Sequence, residues 1–109
     1  DNGYYVDSLG WAFYKAGQFN EALTEIKRAV ALVGDDPVIY EHLGEIYVKQ
    51  QKLSEAKEAW LHSLELDPSN EKLLQRFREH GMANPAYEDR IQQAKRRVSE
   101  KAQTQQATP

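Results

Sequence analysis

The 109-residue chain contains no cysteine. This absence excludes disulfide bonds, zinc sites with thiolate ligands and a cysteine nucleophile. The sequence also lacks an apolar run of about 18 residues, which a membrane-spanning helix would need, and a leader of the secretory type. A net charge of −3 and a pI near 5.6 argue against a surface built as a whole for nucleic acid.

Sequence patterns of known catalytic and metal sites are also absent. His42, His62 and His80 do not have the spacing of metal ligands. The chain contains no sequence motif of a Ser-His-Asp catalytic triad, no glycine-rich phosphate loop and no dinucleotide fingerprint. We therefore expect a protein that is not an enzyme and that uses no metal, cofactor or small-molecule substrate.

The sequence does contain an internal repeat of 34 residues. Leu9-Gly10 aligns with Leu43-Gly44, and Glu21-Ala22 aligns with Glu55-Ala56. A fixed period of this length is typical of solenoid proteins. Further pairs at the same offset are Phe13 with Tyr47, Lys15 with Lys49, Phe19 with Leu53, Ile26 with Trp60, and Leu32 with Leu66.

Each repeat has the pattern of a helical hairpin. Leu9, Gly10 and Phe13 lie on one stripe of a helix, and the second repeat has the same stripe 34 residues later. A helical glycine costs about 1 kcal/mol relative to alanine, so its recurrence indicates close helix packing. We expect the small Ala22 and Ala56 to face these glycines.

The repeats are expected at about 3–36 and 37–70, followed by a capping helix at about 70–80. Together they make a solenoid domain over 1–82. A charged helix follows at 83–102, and the polar residues 103–109 are expected to be disordered. We expect an all-α fold with helices at about 3–16, 20–33, 37–50, 54–66, 70–80 and 85–101.

Both repeats carry a known signature, W-x2-L-G-x2-Y followed by A-x3-F, a small residue and proline. The first has Val6-x2-Leu9-Gly10-x2-Phe13 and Ala22-x3-Ile26, and the second has Tyr40-x2-Leu43-Gly44-x2-Tyr47 and Ala56-x3-Trp60. Over residues 3–70 the sequence resembles the tetratricopeptide repeat family. The resemblance implies an α-solenoid that binds a peptide or helical segment of another protein.

The segment from Asn2 to Trp11 is similar to the C-terminal repeats of long bacterial tetratricopeptide proteins, which are often attached to the cell envelope. This implies a bacterial cytoplasmic or envelope location. The chain begins at Asp1 without a methionine, so we expect it to be a piece of a longer protein.

Solenoids bind mostly through the concave surface that the first helix of each hairpin lines. Tyr4, Trp11 and Tyr14 are predicted to form an aromatic patch there. The alternative is that Tyr4 and Trp11 pack on a preceding repeat, or fill space between neighbouring helices. The predicted groove residues are Tyr4, Asp7, Ser8, Trp11, Tyr14, Lys15, Val38, Glu41, His42, Glu45, Lys49, Lys72 and Arg76.

Lys72-x3-Arg76 resembles one element of the carboxylate clamp with which some tetratricopeptide domains hold acidic tails of chaperones. The other clamp positions carry Asp7, Trp11 and His42, and Asp7 would repel a carboxylate. We therefore expect no clamp, and expect Lys72 and Arg76 to be solvated.

Charge is distributed unevenly. Residues 1–70 hold 12 acidic and 6 basic side chains, whereas residues 71–109 hold 5 acidic and 8 basic ones. This asymmetry favours head-to-tail association, with the basic tail of one chain on the acidic repeats of a neighbour. The alternative to peptide binding is a structural role in which the domain self-associates through an exposed solenoid end or the last helix. A less favoured alternative is contact of Lys95, Arg96 and Arg97 with nucleic acid or an anionic membrane.

The last helix could lie on the repeats, project into solvent or pair with another chain.

Overall fold

A computed structural model describes residues 2–107 of the chain, with side chains through residue 104. Within that range the fold is all-α, as predicted, and contains no strand. The first five helices begin and end within one residue of the predicted bounds. The helices are α1 (Gly3–Lys15), α2 (Phe19–Val33), α3 (Pro37–Lys49), α4 (Leu53–Leu66), α5 (Glu71–Glu79) and α6 (Pro85–Ala107).

The 34-residue period is visible in the residues that begin the odd-numbered helices. Asn2, Asp36 and Asn70 precede α1, α3 and α5, and each side chain accepts a hydrogen bond from a backbone N–H in the first turn. Such caps satisfy amide groups that have no partner within the helix. These three helices therefore start in the same way, and α5 is the counterpart of α1 and α3.

The same helices end in a shared turn. Gly17, Gln51 and Gly81 follow α1, α3 and α5 with φ of 79°, 61° and 70°. In each turn the next residue donates its N–H to a carbonyl five residues back, as in Lys52 to Tyr47 at 2.9 Å. This is the Schellman motif, in which glycine is favoured because a side chain is strained at positive φ. Gln51 makes the turn without that advantage.

Replacing Gln51 by glycine is therefore expected to stabilise the fold. Left-handed backbone costs a side-chain-bearing residue about 1–2 kcal/mol, and the greater freedom of glycine in the unfolded chain offsets part of the gain. We expect Gln51→Gly to raise the free energy of unfolding by about 0.5–1 kcal/mol in urea denaturation. Gln51→Ala is the control, since it keeps the strain; equal stabilisation by alanine would contradict this account.

Close packing at Gly10 and Gly44 is present, but the facing residues differ from those predicted. A Cβ on Gly10 would lie 2.7 Å from Cδ1 of Ile26, and one on Gly44 would collide with the indole of Trp60. The nearest side chains thus come from the large residue of each second helix, rather than from Ala22 or Ala56. Glycine leaves the room that these large side chains fill.

Two hydrophobic cores result. The first joins α1 and α2 with Ile39 and Ile46 of α3, and the second joins α4 with α5 and α6. The molecule measures 47 × 35 × 19 Å, and its radius of gyration is 15.1 Å, against about 13 Å for a compact chain of 100 residues. The thin, elongated shape is that of a solenoid and leaves one side of α1, α3 and α5 open.

The last helix lies back on the repeats, which decides between the three placements left open by the sequence. Ile91 of α6 is buried in the core that contains residues of α4, and Arg90 donates two hydrogen bonds to Glu65 of α4. The prediction of disorder from residue 103 is wrong as far as Ala107, because α6 continues to that residue. The predicted disorder of residues 108–109 lies outside the described residues.

Among the described residues, no helix combines the length and the apolar character needed to cross a bilayer.

Candidate functional site

A cleft of about 240 Å³ lies on the open side of α1, α3 and α5. Side chains from α1, α3 and α5 meet there because these three helices start in register and run side by side. The lining residues are Trp11, Tyr14, Glu41, His42, Glu45 and Arg76.

Stacked rings form one wall of the cleft. The ring of Trp11 lies between those of Tyr14 and His42, at centroid distances of 4.3 and 4.0 Å and nearly parallel to both. Nδ1 of His42 is 2.8 Å from a carboxylate oxygen of Asp7, which holds the imidazole in place. The stack therefore bridges α1 and α3 and presents partly exposed aromatic surface to the cleft.

Two carboxylates and one guanidinium form the rest of the cleft lining. Glu45 accepts a hydrogen bond from the Tyr14 hydroxyl at 3.1 Å and two from Arg76. Glu41 accepts one from the Asn70 amide at 2.9 Å. Arg76 balances the charge of Glu45, whereas Asp7 and Glu41 are bonded to an imidazole and an amide. The lining therefore contains two carboxylates and one guanidinium, which leaves the carboxylate of Glu41 without a cationic partner among the lining residues that are always charged.

Tyr14 is held as a neutral phenol. Burial, together with the adjacent carboxylate of Glu45, raises the pKa of Tyr14 from its ordinary 10.0 to about 12, although Arg76 opposes the shift. Because the folded-state pKa is the higher one, Tyr14 contributes stability that is complete below pH 10 and is lost as pH rises toward 12.

This shift can be observed directly. We expect the tyrosinate absorbance of the folded chain to show a component that titrates near pH 12, and Tyr14→Phe to lack that component. Glu45→Gln should move it to lower pH, because the carboxylate charge that disfavours the phenolate is removed. A titration curve of Tyr14→Phe that differs from wild type only in amplitude would contradict the assignment.

The structure brings together only part of the predicted groove. Tyr4 is mostly exposed, and no ring contact within the described residues joins it to Trp11, so the predicted patch contains Trp11 and Tyr14 without Tyr4. Trp11 also fills space between α1 and α3, as the alternative interpretation expects. Other predicted residues that lie on exposed surface outside the cleft lining are Ser8, Lys15, Val38, Lys49 and Lys72.

Arg76 differs from its predicted role. Its side chain is 40% exposed and so only partly solvated, and its guanidinium binds Glu45 and lies 4.8 Å from the ring centre of Trp60. Two supporting residues were missed: Trp60, which lies beneath Arg76, and Asn70. The pattern Asn70-Glu71 marks a helix start, but its second contact, to Glu41, depends on the packing of helices that are far apart in sequence.

Family models match both repeats. The TPR repeat model matches residues 10–51, and the tetratricopeptide repeat model matches residues 37–70. The chain belongs to the tetratricopeptide repeat family. Tetratricopeptide repeats generally mediate interactions between proteins. A comparison with curated proteins found no significant match.

The basic residues of α6 lie apart from the cleft of this tetratricopeptide solenoid. Arg96 and Arg97 are exposed, and Lys95 is partly buried next to Pro68 and Val98. Their contact with a polyanion stays a prediction.

Proposed function

We propose that the cleft between α1, α3 and α5 binds a peptide or helical segment of another protein, and that the domain acts through this binding without catalysing a reaction. The observation that carries the proposal is the Trp11 stack beside the carboxylates. Tryptophan and tyrosine in a partly buried, concave setting are the residues that most often dominate binding energy. Their contact area comes at low cost in side-chain entropy, because the neighbouring rings already fix them.

The charges of the cleft indicate which segments it favours. Glu41 lines the cleft and is bonded to an amide rather than to a cation, so a lysine or arginine of the partner would gain a nearby carboxylate. The stacked rings offer an apolar surface and an aromatic face for the same cation. We therefore infer a ligand segment in which a basic residue stands next to aliphatic or aromatic residues.

A selection from a random peptide library displayed on phage tests the proposal. The folded full chain is the bait, and the variant Glu41→Gln with Trp11→Ala is used for counter-selection. We expect enrichment of peptides with a basic residue beside apolar ones, whose binding weakens as salt concentration rises. Peptides that bind the double variant as tightly as the wild type, or no enrichment at all, would contradict the proposed function.

A further inference from the structure

The lining residue that α5 contributes to the cleft, Arg76, is bound there by two groups. Its guanidinium donates to both carboxylate oxygens of Glu45, in one case at 3.1 Å. The same guanidinium lies over the indole of Trp60, 4.8 Å from the ring centre. Paired hydrogen bonds to a carboxylate and contact with an aromatic face are the features by which proteins recognise arginine side chains. The contacts of Arg76 are therefore those of a binding site for a guanidinium group.

The two groups that hold this guanidinium are much less exposed than Arg76 itself. The side chain of Arg76 is 40% exposed, whereas that of Glu45 is 13% exposed and Trp60 is completely buried. Both are also held by other contacts, because Glu45 accepts from the Tyr14 hydroxyl and Trp60 donates to the carbonyl of Glu41. We call Glu45 and Trp60 the guanidinium subsite. Its two members stay in place when Arg76 turns away.

The position of α5 does not depend on the side chain of Arg76. Leu73, Leu74 and Phe77 are 1%, 2% and 0% exposed, and they anchor the helix in the second core. A long side chain such as that of arginine is held in one conformation at a cost in entropy, which it regains in solvent. Arg76 can therefore leave the subsite while the helix that carries it remains packed.

An empty subsite would attract another cation. Without Arg76, the mostly buried carboxylate of Glu45 would keep the neutral hydroxyl of Tyr14 as its donor among the described residues. A buried carboxylate without a counter-charge is unfavourable. Glu41 also lines the cleft and adds to the attraction. A planar guanidinium fits the carboxylate and the indole face better than a lysine ammonium does.

We propose that Glu45 and Trp60 form a subsite for an arginine of the partner protein, and that Arg76 occupies this subsite in the free domain. Partner binding then exchanges one guanidinium for another, as Arg76 turns to solvent and the partner's arginine takes its two hydrogen bonds. This proposal rests on the proposed function for the segment that carries the arginine. Because segments without a cation at this position cannot replace Arg76, the exchange adds selectivity to the cleft.

Arg78 on the same helix provides the matched control. It also donates two hydrogen bonds to one carboxylate, that of Glu88 on α6. The side chain of Glu88 is 31% exposed, and the pair lies outside the cleft lining. Arg78→Gln therefore removes one charge and one ion pair from α5 without opening the guanidinium subsite.

Titration of the ¹⁵N-labelled full chain with N-acetylarginine amide tests the proposal without a partner. We expect Arg76→Gln to bind this probe at least about tenfold more tightly than wild type, because Arg76 no longer competes for its hydrogen bonds. The amide signals of Tyr14 and Glu45 should shift. Arg78→Gln should bind as weakly as wild type. N-acetylcitrulline amide, which has nearly the same shape without the charge, should not bind Arg76→Gln.

Two further variants make the result specific. Adding Glu45→Gln to Arg76→Gln should abolish binding of the probe, because the carboxylate that it pairs with is lost. Arg76→Lys keeps a cation near Glu45 but not the paired donors, so it should bind the probe more tightly than wild type and less tightly than Arg76→Gln. This conservative variant also serves if circular dichroism shows that Arg76→Gln is unfolded.

Binding of the probe by Arg76→Gln and Arg76→Lys that is no tighter than that of wild type would overturn the proposal. Weaker binding by both variants would also overturn it and make Arg76 a direct contact of the ligand. The proposed function fails separately. An unsuccessful peptide selection beside tight binding of the probe by Arg76→Gln would contradict the proposed function alone. Selected arginine-containing peptides that bind wild type and Arg76→Gln equally would contradict the exchange alone.

Discussion

Trp60→Ala is expected to lower the free energy of unfolding by about 3–5 kcal/mol, which is the range for truncation of a large buried aromatic residue. The side chain is completely buried, and it fills the space that Gly44 leaves on α3. Its indole N–H donates to the carbonyl of Glu41 at 3.1 Å, and the guanidinium of Arg76 lies over its ring. Small domains have about 5–15 kcal/mol of stability, so this loss would bring the chain close to unfolding.

Urea denaturation followed by far-ultraviolet circular dichroism measures the effect. Trp60→Phe is the control, because a phenyl ring keeps most of the contact with Gly44 while the hydrogen bond to Glu41 is lost. We expect Trp60→Phe to lower the free energy of unfolding clearly less than Trp60→Ala does. A loss below about 1 kcal/mol for Trp60→Ala would show that the space closes without cost, contrary to the rigid packing described here.

Trp11→Ala is expected to weaken the binding of a selected peptide at least about 30-fold. This loss corresponds to the roughly 2 kcal/mol typical of an anchoring residue in an interface. Two separate contributions are lost. The ring itself supplies apolar surface at the cleft, and its stacking holds the rings of Tyr14 and His42 on either side. Truncation would leave both rings free to move, so that binding must order them again.

Tyr4→Ala is the matched control for this prediction, since it removes an aromatic ring from the same helix outside the cleft. We expect Tyr4→Ala to change affinity less than about twofold, as is usual for residues outside a contact. Circular dichroism must show that both variants keep their helices. Equal losses for Tyr4→Ala and Trp11→Ala would favour the broader aromatic patch predicted from sequence over the cleft seen in the structure.

Local sequence signals were sufficient to predict the repeats and the ends of the first five helices, but not the end of α6. The 34-residue offset that aligns Leu9-Gly10 with Leu43-Gly44 also spaces the caps Asn2, Asp36 and Asn70. Helix ends depend on residues within one turn, which the sequence shows directly. The left-handed turn at Gln51 follows from the same register, although its residue type conceals it.

Contacts between helices could be predicted only in part. The helical stripe placed Trp11, His42 and Glu45 on one side of the solenoid. The bond from Arg76 to Glu45 spans 31 residues and depends on how α5 is seated on α4, which no periodicity specifies. The same reason explains why α6, with its thin apolar stripe, could not be placed from sequence.

Residue-resolved NMR of the ¹⁵N-labelled full chain, titrated with a selected peptide, tests the central claim most directly. Binding in the cleft predicts the largest amide shifts around Tyr14, His42 and Arg76, together with a shift of the Trp11 indole N–H. These changes should be absent when Trp11→Ala is titrated with the same peptide. Shifts concentrated on the basic residues of α6, with the cleft unchanged, would contradict binding in the cleft.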